Sequence, residues 1–174
     1  MMNDTLKLWS AMALTAALAV GCAESETPET DTAAAAAPDA VYLLATEPAD
    51  ALGVGDVRES SEDDESVTVI GRIGGSREPF VEGVAAFTIV DPAIPHCAAE
   101  EGCPTPWDYC CAQDKVKDNI TLVKIVDDQG RPVTKDAKAL LGVKELSTVV
   151  VQGKAQRDEA GNLTVLADKV FVKK

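Results

Sequence analysis

The sequence predicts an all-β domain: a small five-stranded OB-like Greek-key barrel with one short helix between its third and fourth strands, preceded by a disordered N-terminal tether. Three observations predict it. Five β-branched runs recur between residues 66 and 172, separated by turn residues. One short stretch with helix start and stop signals falls between the third and fourth runs. The acidity lies ahead of the strands: residues 23–65 hold thirteen acids and one base, residues 66–174 fifteen acids and fourteen bases.

Residues 1–22 read as a lipoprotein signal peptide. Leu8 to Val20 is apolar apart from Ser10 and Thr15, too short to span a bilayer and the length of a signal h-region. It ends in Leu18-Ala19-Val20-Gly21-Cys22, which resembles a bacterial lipobox with Ala19 where leucine is usual. Cys22 is the expected lipidation site. The expected address is an exported, membrane-anchored position facing the periplasm or the cell exterior, with the membrane as partner through the lipid. Residues 23–40 are rich in Thr, Glu, Pro and Ala and hold no large apolar side chain, so they read as a disordered acidic linker. Residues 41–65 read as an extension packing on the domain.

The barrel occupies residues 66–174. Its strands are expected at Val67–Ile73, Val84–Val90, Ile120–Val126, Thr148–Lys154 and Leu163–Val172. Gly71 suits the bend a small barrel needs in its first strand. Asp91-Pro92 stops the second strand, and Asp127 to Gly130 turns the third. Thr134 is the expected cap of a helix through Leu141, with Gly142 just past its end. Asp158 to Asn162 makes the last hairpin. A β-sandwich usually needs about seven strands.

Residues 92–118 form a cysteine-rich insert between the second and third strands. His96 to Cys111 holds Cys97, Cys103, Cys110 and Cys111, the one histidine of the chain, and Trp107 and Tyr109. With Cys22 lipidated, an even number of cysteines remains in an oxidising compartment, and disulfides are the first reading. The favoured pairings are Cys97–Cys110 with Cys103–Cys111, or Cys97–Cys111 with Cys103–Cys110. The alternative is a zinc or copper site drawing on His96, Cys97, Cys103, Cys110 and Cys111. Against it, no Cys-x2-Cys knuckle is present, and adjacent cysteines rarely both reach one ion. A thiol-redox site at Cys110-Cys111 is a third reading. Trp107 and Tyr109 either cover the staples or form a binding surface.

The strings Gly71-Arg72-Ile73-Gly74-Gly75, Ala86-Phe87-Thr88-Ile89-Val90-Asp91, Cys103-Pro104-Thr105-Pro106-Trp107-Asp108-Tyr109-Cys110-Cys111 and Val149-Val150-Val151-Gln152-Gly153-Lys154 resemble a family of uncharacterised planctomycete-type exported proteins with an OB-like domain. The resemblance covers roughly residues 41–174 and implies fold and export, with no activity attached. OB-folds often bind single-stranded nucleic acid or oligosaccharide, but nucleic acid needs a basic groove with stacking aromatics. The near-neutral barrel, with only Phe87 and Phe171 in its strands, argues against it. No catalytic constellation stands out. The expectation is therefore a non-catalytic envelope module that binds a protein or small ligand through its insert, needing no cofactor, with zinc or copper as the alternative.

Overall fold

The computed structural model describes residues 39–174, so the signal segment, Cys22 and residues 23–38 of the linker lie outside the described residues. The strands are β1 (Leu52–Gly53), β2 (Ser66–Ile73), β3 (Phe80–Val81), β4 (Ala86–Val90), β5 (Ile120–Ile125), β6 (Thr148–Arg157) and β7 (Leu163–Val172). The helices are α1 (Val54–Ser60), α2 (Gln113–Val116) and α3 (Ala137–Leu141). No helix among the described residues is long and apolar enough to cross a membrane.

The sheet runs β1-β2-β6-β7-β5-β4-β3, and a further pairing of β2 with β4 closes five of its strands into a barrel. Four of the closing pairings are antiparallel; β5 and β7 run parallel. With α3 between the third and fourth barrel strands, this is the connectivity of the OB barrel predicted from the sequence. The alternation of side chains along each strand fills the interior: Val69 and Ile73 from β2, Phe87 and Ile89 from β4, Val123 and Ile125 from β5, with Val149, Val151, Val165 and Ala167 opposite.

The closing pairing is short, Arg72 with Val90 and Ile73 with Ile89. Gly71 makes it possible. A Cβ at Gly71 would lie 2.7 Å from Ile89 Cβ, so the side chain of Ile89 passes over bare backbone. The other bend is a bulge in β6 between Gln152 and Gly153, where Gly153 lets the backbone of Leu166 approach.

The extension contributes to the core. Val54 and Val57, on one face of α1, are both buried in the main core. Arg157 at the end of β6 donates to the carbonyls of Arg58 at 2.6 Å and Ser61 at 2.8 Å, satisfying the end of α1. Arg58 in turn donates to Ile120 O at 2.9 Å. α3 starts at Asp136 rather than Thr134, because Val133 is held extended between Ala85 and Ile125 by backbone bonds of 2.9 and 3.0 Å. It ends at Gly142 in the left-handed conformation, φ 69°, as expected.

Gly71→Val inserts a branched side chain where Ile89 crosses. The expected loss is about 1–3 kcal/mol in urea unfolding followed by far-UV circular dichroism. Unchanged stability would mean that β2 and β4 do not close against each other there.

Candidate metal centre

The insert leaves the barrel after Val90 and returns at Ile120, two residues paired across β4 and β5. Asp91 N–H donates to Asn119 O at 2.9 Å and carries the pairing one step beyond the barrel. The Asp91 carboxylate accepts from Ala93 N–H at 2.9 Å and from Gly55 N–H at 3.2 Å, tying the root of the insert to α1. Val90 faces away from the barrel core and joins Tyr109 and Val116 in a second, small apolar cluster, with Ile94 and Ile120 against it. The insert is thus seated on the outer face of the barrel at the Val90–Ile120 end.

Tyr109 is the anchor. It is fully buried and left-handed, φ 55°. Its ring lies on Gly74, where a Cβ would come within 2.9 Å of Tyr109 Cε2. Beside it, Gly75 N–H donates to Trp107 O at 2.8 Å and Trp107 Nε1–H to Arg77 O at 3.0 Å. The turn following β2 and the insert therefore clasp each other. Trp107 is half-buried, and Tyr109 has no surface to offer a partner, so the binding-surface alternative fails for Tyr109.

The conformation of Tyr109 opens a tight turn. Ala112 N–H donates to Tyr109 O at 2.8 Å, so Cys110 and Cys111 are the two central residues of that turn. Asp108 braces it, accepting from Cys110 N–H at 2.9 Å and from the Thr105 hydroxyl at 2.7 Å. The Thr105 bond, seconded by the Cys110 N–H, holds the Asp108 carboxyl below the usual range. In a strand, adjacent side chains point to opposite faces. In this turn both cysteines face the same point, which removes the objection that neighbours rarely share an ion.

All four insert cysteines converge there, with every Sγ within 4.8 Å of every other. The Sγ separations are 3.2 Å for Cys103–Cys110, 3.4 Å for Cys97–Cys110, 3.7 Å for Cys97–Cys111, 3.7 Å for Cys110–Cys111 and 3.9 Å for Cys103–Cys111. A disulfide needs about 2.05 Å. Neither expected pairing is formed, and all four thiols are free. Each sulfur has several near neighbours instead of one bonded partner. That is the pattern of a tetrahedron: a zinc ion bonded to four sulfurs at about 2.3 Å spaces them about 3.8 Å apart. A multinuclear iron–sulfur core would not fit between sulfurs this close.

Of the sequence-predicted ligands, the four cysteines come together and His96 does not. His96 Nδ1 lies 3.3 Å from Arg72 Nη1, and its ring sits edge-on to Tyr109 with centroids 6.5 Å apart. Crowding among the thiols sets their acidities. The Cys111 N–H, which donates to the Cys97 sulfur, lowers Cys97. The bond to Cys110 pushes Cys103 up, and the bond to Cys97 pushes Cys111 up to about 11. Cys97 is buried, Cys103 half-buried, and Cys110 and Cys111 exposed. The sequence reading missed the docking role of Gly74 and Gly75, although a Gly-Gly pair directly after a strand is a signal for close backbone approach.

No protein-family model matches the chain, and no curated protein matches it. Among solved structures, one similar chain is described as "a putative aspartyl-tRNA synthetase from Leishmania major Friedlin", at 9% identity and a TM-score of 0.38. The match covers 76% of this chain and 24% of the synthetase chain.

Among the described residues the Tyr109 hydroxyl is buried without a hydrogen-bond partner. Burial pushes the pKa of this hydroxyl up, while nearby Arg72 pulls the other way. Tyr109→Phe removes an unsatisfied group and keeps the ring, so stability is expected to hold or rise by about 1 kcal/mol. Tyr109→Ala is expected to lose about 3–5 kcal/mol and free the insert, read by thermal unfolding and by proteolysis between Pro92 and Asp118. A loss in the Phe variant as large as in the Ala variant would assign the hydroxyl a partner.

Proposed function

We propose that this chain is a non-catalytic, exported binding module whose insert is built around one soft metal ion, zinc foremost, held by Cys97, Cys103, Cys110 and Cys111. The observation that carries the reading is the convergence of four thiols with tetrahedral spacing. Thiolates are soft ligands, and a four-sulfur tetrahedral set suits zinc. With every position taken by protein, such a site has no open coordination position for substrate, which favours a structural over a catalytic ion. The leader ending at Cys22 supports export and membrane attachment.

A ligand at the usual OB face is less well supported. That face lies over the second and third barrel strands, here β4 and β5, and its Val90–Ile120 end is covered by the insert. A groove of about 690 Å³ crosses β2, β6 and β7 elsewhere on the barrel. Asp127, Asp128 and Asp168 line it with Lys154 and Lys169, a mixed charge that does not favour a polyanion.

The test is elemental analysis of the purified full chain alongside thiol alkylation under denaturing conditions. The expected result is about one zinc per chain, four cysteines alkylated after chelation, and zinc lost in Cys97→Ser and Cys110→Ser but kept in His96→Ala. Uptake must also displace protons, because the crowded Cys103 and Cys111 thiols are held protonated before an ion binds; apparent affinity should therefore fall as pH falls. Stoichiometric copper in place of zinc would change the ion, and four unreactive cysteines without metal would restore the disulfide reading.

A further inference from the structure

Resting on the metal reading, we infer that the centre is an oxidation switch: thiol–disulfide exchange expels the ion and leaves two nested disulfides, Cys103–Cys110 formed first and Cys97–Cys111 second.

The four sulfurs are not equivalent. Cys103 and Cys110 make the closest pair, at 3.2 Å, and neither is buried. A disulfide reagent arriving from solvent meets Cys110 and Cys111 before it meets Cys97, which is 3% exposed. Attack by a Cys110 thiolate on an external disulfide gives a mixed disulfide and releases one external thiolate. Cys103 is then the nearest sulfur to displace the second. The bond formed closes a loop containing Pro104 and Pro106, already folded back on itself by the Thr105–Asp108 bond. Once Cys103 and Cys110 are joined, the ion keeps two thiolates of four, and its hold is broken. Cys97 and Cys111 remain, 3.7 Å apart, with the Cys111 N–H already directed at the Cys97 sulfur. The rival order would begin with Cys97–Cys110 at 3.4 Å and leave Cys103–Cys111, the longest of these separations at 3.9 Å. It also needs the buried thiol to react first. Bonding Cys110 to Cys111 would leave Cys97 with Cys103 and force a strained ring on adjacent residues.

The balance is closed. One centre, a dication with four cysteine thiolates, reacts with two external disulfides. Each external disulfide takes two electrons and leaves as two thiolates, the centre becomes two intramolecular disulfides, and the dication is released. The oxidant is any low-molecular-weight or protein disulfide, the class of oxidant that characterises the compartment beyond the cytoplasm.

The experiment uses the zinc-loaded full chain and oxidised glutathione, with a chromophoric chelator reporting free zinc. Disulfides are assigned at intervals by tandem mass spectrometry that breaks the Cys110–Cys111 peptide bond. The expected result is zinc release in step with the Cys103–Cys110 bond, Cys97–Cys111 appearing later, and zinc rebinding after a dithiol reductant is added. Zinc retained through exposure to the reagent, or released with Cys97–Cys110 as the first bond, overturns this inference and leaves the metal reading standing. A chain that takes up no zinc at the outset overturns both.

Discussion

The two-residue pairing of β2 with β4 is the constraint on which the rest of the molecule depends. It converts a sheet into a barrel, and it requires a glycine at position 71 so that Ile89 can cross. It also fixes where the chain emerges from β2. Because Ile73 is paired with Ile89, the Gly74-Gly75 turn lies beside the point where the insert leaves β4. Tyr109 and Trp107 have a docking partner only because the barrel is closed at that place. Register in the core and position of the sulfur centre are thus one geometric fact.

The clasp explains why the insert holds a defined shape with so little apolar material. Tyr109 supplies a large buried ring, and its left-handed backbone turns the chain sharply enough to present two successive cysteines on one side. Asp108 and Thr105 hold the approach, and Cys97 N–H bonds to Pro106 O at 3.3 Å, bringing the first cysteine back over the last two. A non-glycine residue at positive φ needs its surroundings to hold it there. Here the surroundings are a pocket floored by Gly74, which admits the ring only because it has no side chain.

The barrel was legible in the sequence because each strand carries its own signal: β-branched runs bounded by Asp91-Pro92, Asp127 to Gly130 or Gly161-Asn162 turns. The expected limits agree with the observed ones within a few residues, and the largest difference is at β6, which continues to Arg157. α1 was not legible. Val-Gly-Asp-Val-Arg-Glu-Ser has one glycine and two β-branched residues in seven positions, with Gly53 directly before it, a poor helix on local grounds. It forms because Val54 and Val57 enter the core and Arg157, about a hundred residues on, takes its terminal carbonyls. The convergence of the cysteines was illegible for a related reason. Whether adjacent cysteines face together or apart depends on the backbone of Tyr109, and tyrosine has no intrinsic preference for the left-handed region. The sequence told which residues carry the chemistry; the turn decides how they meet.

The oxidising address expected from the leader and the free-thiol geometry of the insert pull in different directions, and the small size of the insert core resolves them. Beyond the sulfur cluster, the segment between Val90 and Ile120 buries only Tyr109 and Val116 fully among its large side chains. Ordering so long a loop sets many backbone dihedrals, and two apolar side chains do not offset that entropy. The missing stabilisation has to come from the sulfurs. A disulfide supplies it chiefly by restricting the unfolded chain, whereas an ion bound only by the folded insert supplies it by mass action on the native state. Either link would suffice for shape. The proposed ion accounts for each sulfur lying near several others rather than against one, and on that proposal the shape of the insert depends on the redox state of its surroundings.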